Sequence, residues 1–133
     1  MTQAITNLTN ALEHACKHRP KVGGFPYLAQ TLRAAGVTRN IWQLPSCQSL
    51  FFTRYGVVAS QGTPLVTGMV DVPHFDQEAL IRALRIDQAG ESTFEEFLKS
   101  AWLAGVTRYD VDFAKCHVTY FGALGESYVE AYG

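Results

Sequence analysis

The chain is short of cysteine, of net charge and of long apolar runs, and each shortage removes a class of protein. Three cysteines, Cys16, Cys47 and Cys116, stand too far apart for a disulfide framework or a Cys-x-x-Cys metal knuckle and read as the reduced thiols of a cytoplasmic protein. A formal net charge of −1 exerts no general pull on a phosphate backbone, so nucleic acid is not an expected partner. No apolar run approaches the roughly 20 residues of a membrane span, and the stretch Met1 to Leu12 is too polar for a signal-peptide core, so no membrane association is expected. His14 and His18 stand at i and i+4 on one helix, but the Glu of a His-Glu-x-x-His site is missing and no carboxylate sits at ligand spacing. They suit a helix C-terminus, where imidazolium complements the dipole, and neither metal nor cofactor is expected. A phosphate-cradling glycine loop and a nucleophile beside an obvious base are missing too.

What the chain does have is a repeat. Ala-Gly-Val-Thr-Arg occurs at Ala35 to Arg39 and again at Ala104 to Arg108. A coincidence of five residues is expected on the order of 0.01 times in a chain of this size. Sliding the chain on itself by the same 69 positions superposes Phe25 on Phe94, Cys47 on Cys116, Phe52 on Phe121 and Gly56 on Gly125. The pattern predicts a duplicated helix-helix-antiparallel sheet unit, with pseudo-repeats over about 1–64 and 70–133 joined by a connector at 61–73. The expected fold class is α+β, one pseudo-twofold compact domain. Its 133 residues, 47% of them hydrophobic and 17% charged, suffice for one core that buries roughly 70% of the unfolded surface.

Local patterns supply the elements. Leu8, Ala11, Leu12, Ala15 and Cys16 recur at helical spacing from about Thr6 to His18. A second helix opens near Phe25 and Pro26 and ends at Gly36, which is placed to take a left-handed conformation. Strands follow over Val37 to Leu44, Cys47 to Arg54 and Val57 to Ser60, with Pro45-Ser46 as a tight turn. Pro is awkward in the commonest two-residue hairpin turns, which want positive φ. In the second half Asp76 is a good N-cap, Phe75 and Leu80 form a hydrophobic staple, and Ser92 with Glu95 fits a capping box. Strands are expected over Val106 to Phe113, Cys116 to Phe121 and about Glu126 to Tyr132, with a further short one around Leu65 to Val70. A three-stranded unit of this size is insecure alone, so the halves should share a core, joined either sheet to sheet or through helices.

The chemistry gathers on one hairpin. If Ala114-Lys115 is a two-residue turn, alternation puts Arg108, Asp110, Asp112, His117 and Thr119 on one face, with Asp112 opposite His117 and Asp110 opposite Thr119. Asp112 and His117 are then the candidate catalytic pair, a carboxylate beside an imidazole set for proton transfer. Arg39 and Arg108, each three residues after its glycine, are candidates for holding a small anionic ligand. The plainer reading is a solvated sheet face with cross-strand ion pairs, and the first half argues for it, because Gln43 and Gln48 stand where Asp112 and His117 would be. Cys47 and Cys116 read as core filling and Trp42 as a core aromatic. Tyr128, Glu130 and Tyr132 fall on one side of the last strand, a composition suited to a recognition surface or dimer seam.

The segments Lys21 to Ala29, Ile41 to Leu50, Gln61 to Leu65, Asp87 to Gly90 and Ala104 to Phe113 resemble the YbcV-like family of small bacterial, often prophage-associated proteins. The likeness runs over nearly the whole chain. It implies a compact α+β protein in a phage or mobile-element context, and carries over no catalytic residue. Two functions are therefore expected to compete. The preferred one is a non-enzymatic binding or regulatory module that presents Arg108, Asp110, His117 and the Tyr128/Tyr132 edge to a protein partner or, as a homodimer, to another copy. The alternative is a small hydrolase or isomerase-like enzyme using Asp112, His117 and an arginine.

Overall fold

Helix α1 (Gln3–His18) starts where the Thr2 hydroxyl accepts from the Ile5 N–H, a few residues earlier than the apolar pattern suggests. A computed structural model describes residues 2–132. Ala4, Leu8, Ala11 and Ala15 form the buried stripe of α1, and α2 (Gly24–Ala34) buries Ala29 and Leu32. Gly36 ends α2 with φ of 95°, left-handed as expected. Strands β1 (Val37–Gln43), β2 (Gln48–Thr53) and β3 (Gly56–Gln61) follow, and the same order returns as α3 (Gln77–Gln88), α4 (Phe94–Leu103), β4 (Val106–Asp112), β5 (His117–Gly122) and β6 (Ser127–Ala131). Asp76 caps α3 by accepting from Ala79 N–H at 3.0 Å. The capping box of α4 is present one residue later than the sequence suggests: Thr93 and Glu96, not Ser92 and Glu95, exchange the two bonds. Ser92 donates instead to Asp87. The expected strand at Leu65 to Val70 does not form; that stretch of connector is irregular.

The β1–β2 and β4–β5 turns differ from the two-residue turns read from the sequence. Leu44 to Cys47 and Phe113 to Cys116 are four-residue loops, and Cys47 and Cys116 take the left-handed conformation at φ of 53° and 56°. A four-residue loop built on an ordinary turn accepts Pro45 at its fixed φ, which removes the difficulty a mirror-image turn would pose.

The two halves join sheet to sheet. One six-stranded antiparallel sheet runs β3-β2-β1-β4-β5-β6. Across the central seam Ile41 faces Asp110, the residue 69 positions later, and on either side Arg39 faces Asp112 and Gln43 faces Arg108. Register shifts fall at equivalent places, between Val37 and Arg39 and between Val106 and Arg108. Thr38 and Thr107 each donate a side-chain hydrogen bond to the carbonyl of Phe52 or Phe121. Helices cover one side only. Their buried stripes meet Trp42, Phe51, Tyr109, Val111, Val118 and Tyr120 in one core, whose most deeply buried members include Leu44 with Phe113 and Val37 with Val106. No helix among the described residues is long and apolar enough to cross a membrane.

Candidate binding face

The side of the sheet away from the helices is uncovered, and the strand register sets its rows. One row runs Val57, Phe52, Arg39, Asp112, His117, Ala131; the next runs Ala59, Leu50, Ile41, Asp110, Thr119, Val129. The pairings of Asp112 with His117 and Asp110 with Thr119 are those the sequence predicts, because the four-residue loop is centred on Ala114-Lys115 and so keeps the register a two-residue turn there would give. Apolar side chains on this face stay in water: Val57 is 59% exposed, Val129 54% and Leu50 39%.

Arg39 and Asp110 meet diagonally across the seam. The Arg39 Nε donates to both carboxylate oxygens of Asp110, at 2.8 and 3.1 Å, and Nη2 adds a further bond to Oδ2. The Arg39 guanidinium also lies 5.6 Å from the Phe52 ring centroid. Its counterpart Arg108 has Ile41 rather than an aspartate at the matching place, and instead stacks 4.2 Å over Phe121. Four residues of strand separate the two arginines across the seam, roughly 13 Å. They do not converge on one small anion, and Arg39 is already neutralised.

Asp112 and His117 are brought opposite each other without a hydrogen bond between them among the described residues. The Asp112 Oδ1 accepts from the N–H groups of Ala114 and Lys115, both at 3.0 Å, and closes the turn. The Lys115 N–H is the main reason its carboxyl is held below the usual range, with Ala114 N–H, Lys115 and His117 adding to it. The His117 Nδ1 is buried and has no partner among the described residues.

Tyr128 and Tyr132 share a side with Glu130, as expected, but it is the helix side, opposite Arg108 and Asp110. The Tyr128 hydroxyl donates to Glu130 at 3.1 Å, and Arg85 of α3 holds the same carboxylate in a two-pronged pair at 2.6 and 3.2 Å. That arginine chiefly depresses the Glu130 carboxyl. Tyr132 meets Phe25 edge-on at 5.1 Å, and burial pushes its hydroxyl up to about 12. Cys47 is buried and its thiol raised by desolvation. No group of three His, Cys, Asp or Glu suited to a metal occurs among the described residues.

Sequence reasoning missed a concave part of the face. A depression of about 420 Å³ has Ile41, Leu50 and Ala59 for a floor and the carboxamides of Gln43, Gln48 and Gln61 around it. The alternations Gln48-Leu50-Phe52 and Val57-Ala59-Gln61 carried the signal. Their meaning required knowing that β3 and β2 continue the same sheet as β1.

A family model described as "Protein of unknown function (DUF1398)" matches residues 13–130. The chain is 52% identical over 132 residues to the uncharacterized protein Mb2035 of Mycobacterium bovis, with 99% of this chain and 80% of the relative aligned. The uncharacterized proteins MT2067 and Rv2012 of Mycobacterium tuberculosis align with the same identity and coverage.

Proposed function

The chain belongs to the DUF1398 family of proteins of unknown function, and from that premise we propose that it is a non-enzymatic binding module whose uncovered sheet face takes a protein partner. The observation that carries this reading is the depression floored by Ile41, Leu50 and Ala59 on a side that no helix covers. An apolar floor with carboxamide walls suits an uncharged segment of polypeptide, which finds amide donors and acceptors there and no bare charge to desolvate. Arg108 on Phe121 and the Arg39–Asp110 pair flank it as orienting polar groups. Descent of the two halves from one doubled segment belongs to the same proposal, supported by the repeated element order and the seam register. A phage or mobile-element setting is proposed on the sequence resemblance alone.

Substitution at the floor tests the reading. A partner captured from bacterial lysate and rebuilt with purified components should bind Leu50→Asp at least about tenfold more weakly, since burying that leucine is worth roughly 1.5–3 kcal/mol. Leu103→Asp, on the exposed side of α4, should bind as the wild type does. Equal binding by both variants, or equal loss in both, sinks the proposal.

One observation favours a second reading, a small hydrolase or isomerase-like enzyme that uses Asp112 and His117 with an arginine for an anionic substrate: the buried Nδ1 of His117 lacks a partner. Asp112 would have to leave the two N–H groups of its turn to supply one.

A further inference from the structure

The β1–β2 and β4–β5 turns are built alike and covered differently. In each, a cysteine stands in the left-handed region with its thiol near the carbonyl three residues back, Cys47 at 3.4 Å from the Leu44 oxygen and Cys116 at 3.8 Å from that of Phe113. In each, the chain leaving the outer strand returns to the cysteine carbonyl, Gly62 N–H donating to Cys47 at 2.8 Å and Tyr132 N–H to Cys116 at 2.9 Å. Beyond Gly62 the backbone continues over the first turn. Leu65 N–H donates to the Pro45 carbonyl at 3.0 Å, Leu65 and Val66 pack on the core, and Cys47 is left 3% exposed. The passage is tight: a Cβ on Gly62 would come within 3.1 Å of the Cys47 oxygen.

At the second turn no described residue donates to the Ala114 carbonyl, the counterpart of Pro45. A cleft of about 410 Å³ lies there instead, walled by Tyr27, Gln30 and Arg33 of α2 and by Phe113, Cys116 and Tyr132. Arg33 occupies the place that Trp102 fills in the other half, so the cleft carries a guanidinium where its twin carries a buried ring. That guanidinium touches the Cys116 thiol at 3.9 Å and pairs with no carboxylate among the described residues.

We propose that this cleft binds an extended peptide segment of a partner protein, which does over the second turn what Leu65 and Val66 do over the first, Tyr132 already standing where Gly62 does. A backbone N–H of the segment donates to the Ala114 carbonyl, a branched aliphatic side chain enters between Tyr27 and Phe113, and a carboxylate meets Arg33. The cleft opens on the helix side of the sheet, so it stands or falls independently of the uncovered face.

The probe is the tetrapeptide acetyl-Thr-Pro-Leu-Val, which copies residues 63–66, used as free acid and as C-terminal amide. Titrated into the full ¹⁵N-labelled chain, it should shift the amides of Ala114, Lys115, Cys116 and Tyr132 in a saturable way. The acid should bind about tenfold more tightly than the amide, the worth of one charge-assisted contact. Arg33→Gln, an exposed substitution, should abolish that difference and keep the amide peptide's shifts. Shifts confined to other regions, no saturable shift at millimolar peptide, equal binding of a scrambled sequence, or a preference for the acid that survives Arg33→Gln would each overturn the proposal.

Discussion

Gly36 and Gly105 occupy the same place in the repeated pentapeptide and have nearly the same backbone, φ of 95° and 88°. Alanine at either position must hold a conformation that costs an L-residue about 1–2 kcal/mol. The surroundings then separate them. The three atoms nearest a Cβ on Gly36 all belong to the Arg54 side chain, with Nε at 2.7 Å, and that exposed arm can swing into water. A Cβ on Gly105 would meet backbone, the His74 oxygen and the Phe75 Cα, both at 2.5 Å. That stretch is held in place, because Asp76 N–H donates to the Ala104 carbonyl at 2.7 Å and Phe75 packs on the core. Relief requires the connector to move, at roughly 2 kcal/mol or more in addition. Gly36→Ala should therefore cost about 1–2 kcal/mol and Gly105→Ala about 3–5 kcal/mol, a large part of a typical total stability. Urea unfolding followed by tryptophan fluorescence measures both, and with a slope of about 1–3 kcal/mol per molar the two midpoints should separate clearly. Equal midpoints would refute the reasoning, since they would mean that the connector does not press on Gly105.

Two further outcomes follow from particular contacts. Glu130 has a folded-state pKa below its ordinary value because of Arg85, so its contribution to stability is fully present above about pH 4.5 and is lost as pH falls through the depressed folded value. Glu130→Gln should lower the melting temperature at pH 7 and converge with the wild type in acid; a difference between the two that is constant down to strongly acid pH would show that the pair is not the cause. Thr93→Ala should cost about 1 kcal/mol as the loss of a helix cap, and Ser92→Ala distinctly less, in chemical denaturation. The reverse order would restore the capping box to Ser92 and Glu95.

The β4–β5 hairpin was legible because each of its residues obeys one short-range rule. Tyr109, Val111, Val118 and Tyr120 must point to one side, and a turn centred on Ala114-Lys115 then sets Asp112 opposite His117. The chemistry of that pair was not legible. Whether Asp112 turns to His117 or to the N–H groups of Ala114 and Lys115 depends on loop geometry, and the loop hinges on Cys116 at positive φ, which non-glycine residues seldom adopt and local sequence does not announce. Tyr128, Glu130 and Tyr132 show the same division. Alternation put them on one side, and nothing local to β6 said that the side was the one carrying α3 and Arg85.

Local patterning alone determined the helices, the strand alternation and the left-handed glycines after α2 and α4, since periodicity and backbone sterics act within a few residues. Tertiary structure decided the rest. Pairing β1 with β4 brought Arg39 to Asp110 from 71 positions away, the connector closed over Cys47 while a cleft stayed beside Cys116, and two identical pentapeptides acquired different neighbours. Each of these depends on which distant backbone fills the space beside a residue, and that is settled only when the whole chain competes for one core.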